Sequence, residues 1–70
     1  MSRCYVLYDM RALSNIERAS AFCIEHTLKC AKRTARDYGE CVCISHKIKD
    51  GFLLDDNLEF VTDKNGNTTE

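Results

Sequence analysis

Hydrophobic and polar residues first alternate along residues 4–10 of the chain. Cys4, Val6 and Tyr8 fall on one side of this segment, and Tyr5 and Leu7 fall on the other, which is the two-residue period of a β-strand. Because both sides carry apolar residues, we predict a strand that lies in the interior of a sheet.

The pattern then changes to a helical period. Ser14 and Glu17 have the spacing of a capping box, and Gly39 is suited to the position just after a helix end. We therefore predict one long helix from Ser14 to Tyr38, about 24 residues and about 36 Å in length. Its apolar side carries small residues, including Cys23 and Cys30, which we interpret as core filler.

Alternation returns after Gly39, and residues 41–48 form a second predicted strand with Val42 and Ile44 facing the helix. Residues 49–51, Lys-Asp-Gly, predict a hairpin turn, since Asp-Gly supplies the positive φ angles that tight turns need. Residues 52–54 would return as a strand. A second turn at residues 55–57 would precede a last short strand at residues 58–62.

These elements predict an α+β fold. We expect a two-layer sandwich in which one long helix packs on a small, mostly antiparallel sheet of three to four strands, in the order β-α-β-β with room for a further strand. Residues 1–62 would form a single compact domain and residues 63–70 a flexible tail. The helix would leave the sheet face with Tyr5 and Leu7 uncovered, so we predict a homodimer with those two residues at the interface.

Length and charge narrow the class of protein. Seventy residues allow one small core. There is no apolar run of about 18 residues and no secretory signal pattern, so we expect an intracellular, cytoplasmic protein with no membrane contact. The net charge of −1 divides into +3 for residues 1–38 and −4 for residues 39–70. Such a division can orient a partner, although ordinary solvated charges look similar.

The five cysteines form an odd set, which favours free thiols in a reducing compartment. A zinc site is the sharpest chemical alternative, but no Cys-x-x-Cys pair exists, and we predict no metal and no cofactor. Thiol catalysis is disfavoured because no cation or helix start activates a cysteine, and the isolated glycines form no phosphate loop. We therefore predict that the protein is not an enzyme. The ligands to test for zinc would be His26, Cys30, Cys41 and Cys43.

Four cations lie along one side of the predicted helix, and they are the strongest functional signal. They can be a solvated surface that complements the helix dipole, a phosphate-binding patch for nucleic acid, or a docking surface for another protein. Phe22, between charged neighbours, is either a peripheral core contact or an interface anchor. The predicted partner-binding residues are Lys29, Lys32, Arg33, Arg36 and Phe22.

We hypothesise a small non-enzymatic binding protein that regulates or inhibits a macromolecular partner, most simply a protein. In its general design, a strand-helix-strand plan without a catalytic constellation, the chain resembles the small anti-defence and host-takeover proteins of bacteriophages. The first alternative is a small nucleic-acid-binding module, and the second is a structural dimer or accessory subunit of a larger complex.

Overall fold

A computed structural model describes residues 2–10 and 21–70 of the chain. Within them, one helix packs on an antiparallel five-stranded sheet with the order β2-β1-β3-β4-β5, so the α+β class is confirmed. None of the helical structure in these residues is long and apolar enough to cross a membrane. The elements are β1 (Ser2–Asp9), β2 (Ala21–Glu25), α1 (Leu28–Tyr38), β3 (Cys41–Lys49), β4 (Phe52–Thr62) and β5 (Thr68–Thr69).

The helix is much shorter than the sequence predicts. It has 11 residues and begins after Thr27, whose side chain accepts a hydrogen bond from the backbone N–H of Cys30 at 3.2 Å. Part of the predicted helix is instead the strand β2, which pairs with β1. Pairing with a neighbouring strand outweighs local preference here, because Phe22, Cys23 and Ile24 are only moderate helix formers. The predicted capping box lies outside the described residues.

Two glycine signals are confirmed. The helix ends at Tyr38, and Gly39 follows with φ 74° and donates its N–H to the carbonyl of Ala35 at 2.8 Å. The turn between β3 and β4 contains Asp50 and Gly51, with φ angles of 53° and 82°. Positive φ at both positions is the geometry of a tight hairpin turn, and it fixes the pairing of the two longest strands.

The second predicted turn, at residues 55–57, is wrong. β4 runs without interruption from Phe52 to Thr62, and the strand absorbs these residues through irregular pairing with β3. Asp55 has φ 66°, which accommodates the local distortion. Bulges of this kind let a strand bend and twist without ending, which explains why turn-forming residues lie inside β4.

The prediction of which sheet face the helix covers is also wrong. Cys41 and Cys43 lie under the helix, whereas Val42 belongs to a separate cluster on the opposite face. Leu7 is fully buried against the helix, and Tyr5 packs against the same cluster. The surface chosen for the homodimer is therefore the helix-covered face. The homodimer itself stays a prediction. The core beneath the helix consists of Leu7, Ala31, Ala35, Cys41, Cys43 and Phe60.

Residues 63–70, predicted as a tail without an anchor, have one in Asp63. Its carboxylate accepts hydrogen bonds from the backbone N–H groups of Asn65 and Asn67, both at 2.9 Å. These bonds, that from Asn67 first, hold the pKa of Asp63 below its ordinary value. The turn returns the chain to β4, where Thr68 and Thr69 pair as β5.

Candidate binding surfaces

The predicted basic residues do share one side of α1. Lys29, Arg33 and Arg36 are exposed, while the buried positions of the helix are Ala31 and Ala35. At about 100° per residue, the cations and the alanines lie on opposite sides of the helix. Lys32 differs from the other three, since its ammonium group pairs with the carboxylate of Glu70. The basic face is therefore open to a partner, and its role in binding stays a prediction.

Phe22 lies on β2, not on the flank of a helix as predicted. Its ring stacks on that of Tyr38 at the end of α1, with centroids 3.9 Å apart and planes 19° from parallel. Phe22 is half-buried and packs against the core under the helix. This contact joins β2 to the helix and matches the core-contact alternative for Phe22.

The four residues considered for zinc are not brought together. Cys30 is exposed on the helix and His26 is exposed before it, whereas Cys41 and Cys43 are buried beneath the helix. Residues 2–10 and 21–70 hold no cluster of three or more potential metal ligands. Burial, reinforced by the nearby carboxylate of Glu59, raises the pKa of Cys43 to about 12. A thiol with such a pKa is a poor nucleophile at neutral pH.

Large apolar side chains project into solvent along β4. Phe52 is 69% exposed and Leu58 is 63% exposed, and Leu53 and Leu54 are also exposed. β5 pairs only with Val61 and Thr62, so the outer edge of β4 before them has no strand partner among the described residues. A small protein rarely exposes so many large apolar groups on one element without a binding role.

A polar network lies where β1, β3 and β4 meet. Ser45 is fully buried, accepts a hydrogen bond from Arg3 at 2.7 Å and donates one to Glu59 at 2.6 Å. The side-chain amide of Asn57 donates to the same oxygen of Glu59 at 2.8 Å. The Ser45 hydrogen bond is the main cause that holds the pKa of Glu59 below its ordinary value, and Asn57 adds to it. The network ties the irregular part of β4 to the centre of the sheet.

Replacing Ser45 with alanine should raise the pKa of Glu59 toward the ordinary glutamate value of about 4.3. A lowered carboxyl pKa stabilises the fold above the ordinary value, and this stabilisation is lost as the pH falls through the folded-state pKa. The stability difference between wild type and Ser45→Ala should therefore be larger at pH 7 than at about pH 3. NMR titration of Glu59 and urea unfolding at both pH values measure these effects. Ser2→Ala, at an exposed strand position, is the control, and an unchanged Glu59 titration in Ser45→Ala would contradict the assignment.

The sheet face opposite the helix carries a cavity of about 470 Å³. His46 points into its polar end, where the hydroxyl of Tyr8 lies 3.4 Å from Nε2. Nδ1 of His46 lies 3.0 Å from Oδ1 of Asp56, which is within ion-pair distance. The ring N–H is not aligned with that oxygen, and Nδ1 has no hydrogen-bond partner among the described residues. The result is a buried imidazole next to an exposed carboxylate.

Sequence reasoning missed the residues of this face. His46 continues the alternation of Ile44 and Ile48, and that period is a usable sign of a histidine among apolar neighbours. Its proximity to Tyr8 and Asp56 depends on the pairing of three strands and has no local sequence signal.

Neither a family model, nor a curated protein, nor a solved structure matches this chain. Any function assigned to the chain therefore depends on the geometry of its surfaces.

Proposed function

We propose that this chain is a small non-enzymatic binding protein, a regulator or inhibitor whose partner is another protein. The observation that carries the proposal is the row of exposed apolar side chains on β4, with Leu58 63% exposed. Water-exposed leucine and phenylalanine side chains gain free energy when a partner covers them, at about 25 cal/mol for each Å² of apolar area.

Two features support a protein as the partner. The exposed apolar groups lie beside acidic ones, since Asp55 and Asp56 are in the same strand. An apolar centre with a charged rim is typical of protein interfaces. Negative charge next to the patch also disfavours contact with a nucleic acid at this surface. The basic face of α1 would be a second contact area for a protein partner that carries acidic groups.

Replacing Leu54 and Leu58 together with threonine tests the proposal. Threonine keeps a high strand propensity but removes the apolar surface, so the fold should be retained. Neither side chain lines the cavity on the sheet face opposite the helix. We expect binding of the partner to weaken at least about thirtyfold, the effect of losing one interface hot spot. Quantitative capture from the native host, followed by a binding curve with the captured protein, measures the loss.

A triple variant, Lys32→Ala, Arg33→Ala and Arg36→Ala, is the matched comparison. Alanine keeps helix propensity high, and surface substitutions cost about 0.5 kcal/mol or less each. Unchanged partner binding in the leucine double variant, with loss in the triple variant, would overturn the assignment to β4.

Nucleic-acid binding is the second candidate function, because Lys29, Arg33 and Arg36 are exposed on one side of the helix. Cations in this arrangement can contact successive phosphates. Binding through phosphates would weaken steeply as salt increases, whereas an apolar contact at Leu54 and Leu58 would change little. A steep salt dependence together with loss in the triple variant would favour this second function.

A further inference from the structure

The cavity on the sheet face opposite the helix has the composition of a small-ligand site. Its volume of about 470 Å³ lies within the range of about 300–1,000 Å³ that is usual for such sites. Most of its wall is apolar, and its polar groups gather around His46. The apolar wall is formed by Val6, Ile24, Ile44, Phe52 and Leu53.

The charge of the cavity is one-sided. Asp56 is the only acidic residue among the described lining residues, and no lysine or arginine is present among them. The carboxylate of Asp56 is 84% exposed, so a ligand can reach it. One of its oxygens faces His46 at 3.0 Å, and the other remains available to a donor. A cation placed here would find an acceptor and no competing positive side chain of lysine or arginine.

His46 supplies the second observation that points to a ligand. Its side chain is only 8% exposed, yet Nδ1 makes no hydrogen bond within the described residues. A buried polar atom without a hydrogen bond is costly, and it is found where a missing group is to be bound. Tyr8 holds the other ring nitrogen, which fixes the plane of the imidazole behind the carboxylate.

We propose that this cavity binds a small apolar amine. The apolar body would lie against Ile24, Ile44 and Phe52, and the ammonium group would donate hydrogen bonds to the carboxylate of Asp56. The ring of Phe52 adds a face that attracts a cation. This site is separate from the proposed protein-binding surface, because Leu54 and Leu58 do not line it.

The test uses 1-naphthylmethylamine as the probe and 1-naphthalenemethanol as its neutral counterpart of nearly equal shape. Two-dimensional amide NMR of the whole chain reports both the location and the affinity of binding. We expect the amine to shift the amide signals of Ile24, Ile44 and Phe52 and to bind at least about tenfold more tightly than the alcohol. Equal affinity for the two compounds, shifts located elsewhere, or no binding at about 10 mM would overturn the proposal.

Asp56→Asn and Asp55→Asn form a matched pair of variants. Both remove one carboxylate from neighbouring positions of β4, but Asp55 points to Lys47, at 3.7 Å, and does not line the cavity. Asp56→Asn should abolish the preference for the amine, and Asp55→Asn should leave it within about twofold. Equal effects of the two substitutions would show a general attraction of cations and would overturn the site. The amide spectrum of each variant confirms its fold.

Discussion

Replacing Phe60 with alanine should unfold a large fraction of the molecules at 25 °C. Phe60 is 1% exposed and is the largest side chain in the core under the helix. Removing a buried phenylalanine costs about 3–5 kcal/mol. A chain of this length is stable by only about 0.05–0.15 kcal/mol per residue, so the loss is comparable to the whole free energy of unfolding.

Phe52→Ala is the matched control, because it removes the same ring from the same strand. Phe52 is 69% exposed, and its loss should change the free energy of unfolding by about 0.5 kcal/mol or less. Urea unfolding followed by far-ultraviolet circular dichroism measures both variants. Similar midpoints for Phe60→Ala and Phe52→Ala would contradict the burial of Phe60 beneath α1.

The parts of the fold that the sequence predicts are those with a local cause. Gly39 ends the helix, and Asp50 with Gly51 turns the chain, because each of these residues has a positive φ that its neighbours cannot easily adopt. The first strand is also predicted, since its alternation is complete within one segment. Such signals need no knowledge of what lies beside them.

β2 could not be predicted in this way. The segment Ala21–Glu25 contains residues that can fit either a helix stripe or a strand face. What decides is its pairing with β1, in which Val6 lies opposite Ile24 and Leu7 opposite Cys23. The cap at Thr27 is a usable local signal for the true helix start, and the stronger capping box at Ser14 and Glu17 obscures it.

The reversed sheet faces have a packing cause. β3 is apolar on both faces, so its pattern alone does not state which face the helix covers. Bulky Val42 and Ile44 are the expected choice, but the helix presents Ala31 and Ala35, which approach the sheet closely over the smaller Cys41 and Cys43. Phe60 supplies the missing volume from the neighbouring strand. Complementary volumes across three elements decide the arrangement.

The candidate sites divide in the same way. The basic face of α1 follows from helical spacing, so its residues can be predicted from the sequence alone. The cavity at His46 depends on the register of β1, β3 and β4, and the exposed edge of β4 depends on how little of it β5 covers. Sites of this second kind are assembled by sheet pairing, so their residues are distant in sequence and carry no common motif.

The cysteines should differ sharply in their reaction with iodoacetamide. Cys30 is exposed, whereas Cys43 is fully buried and its pKa is raised to about 12 by burial and by Glu59. Only the thiolate reacts, and at pH 8 a pKa of about 12 leaves a thiolate fraction of about one in ten thousand. An ordinary thiol, with a pKa of about 8.5, has about a quarter of its molecules as thiolate at this pH. We therefore expect Cys43 to react at least about a thousandfold more slowly than Cys30.

Mass spectrometry of peptides after timed alkylation measures both rates in the same sample. Cys30→Ala is the control, because removal of this exposed thiol should eliminate the fast phase and leave the fold unchanged. Addition of urea should bring Cys43 to the rate of an ordinary thiol, since unfolding restores water to the sulfur and removes the fixed carboxylate of Glu59. A folded protein in which Cys43 reacts as fast as Cys30 would contradict both the burial of Cys43 and its raised pKa. It would also restore thiol chemistry as a function to consider for this chain.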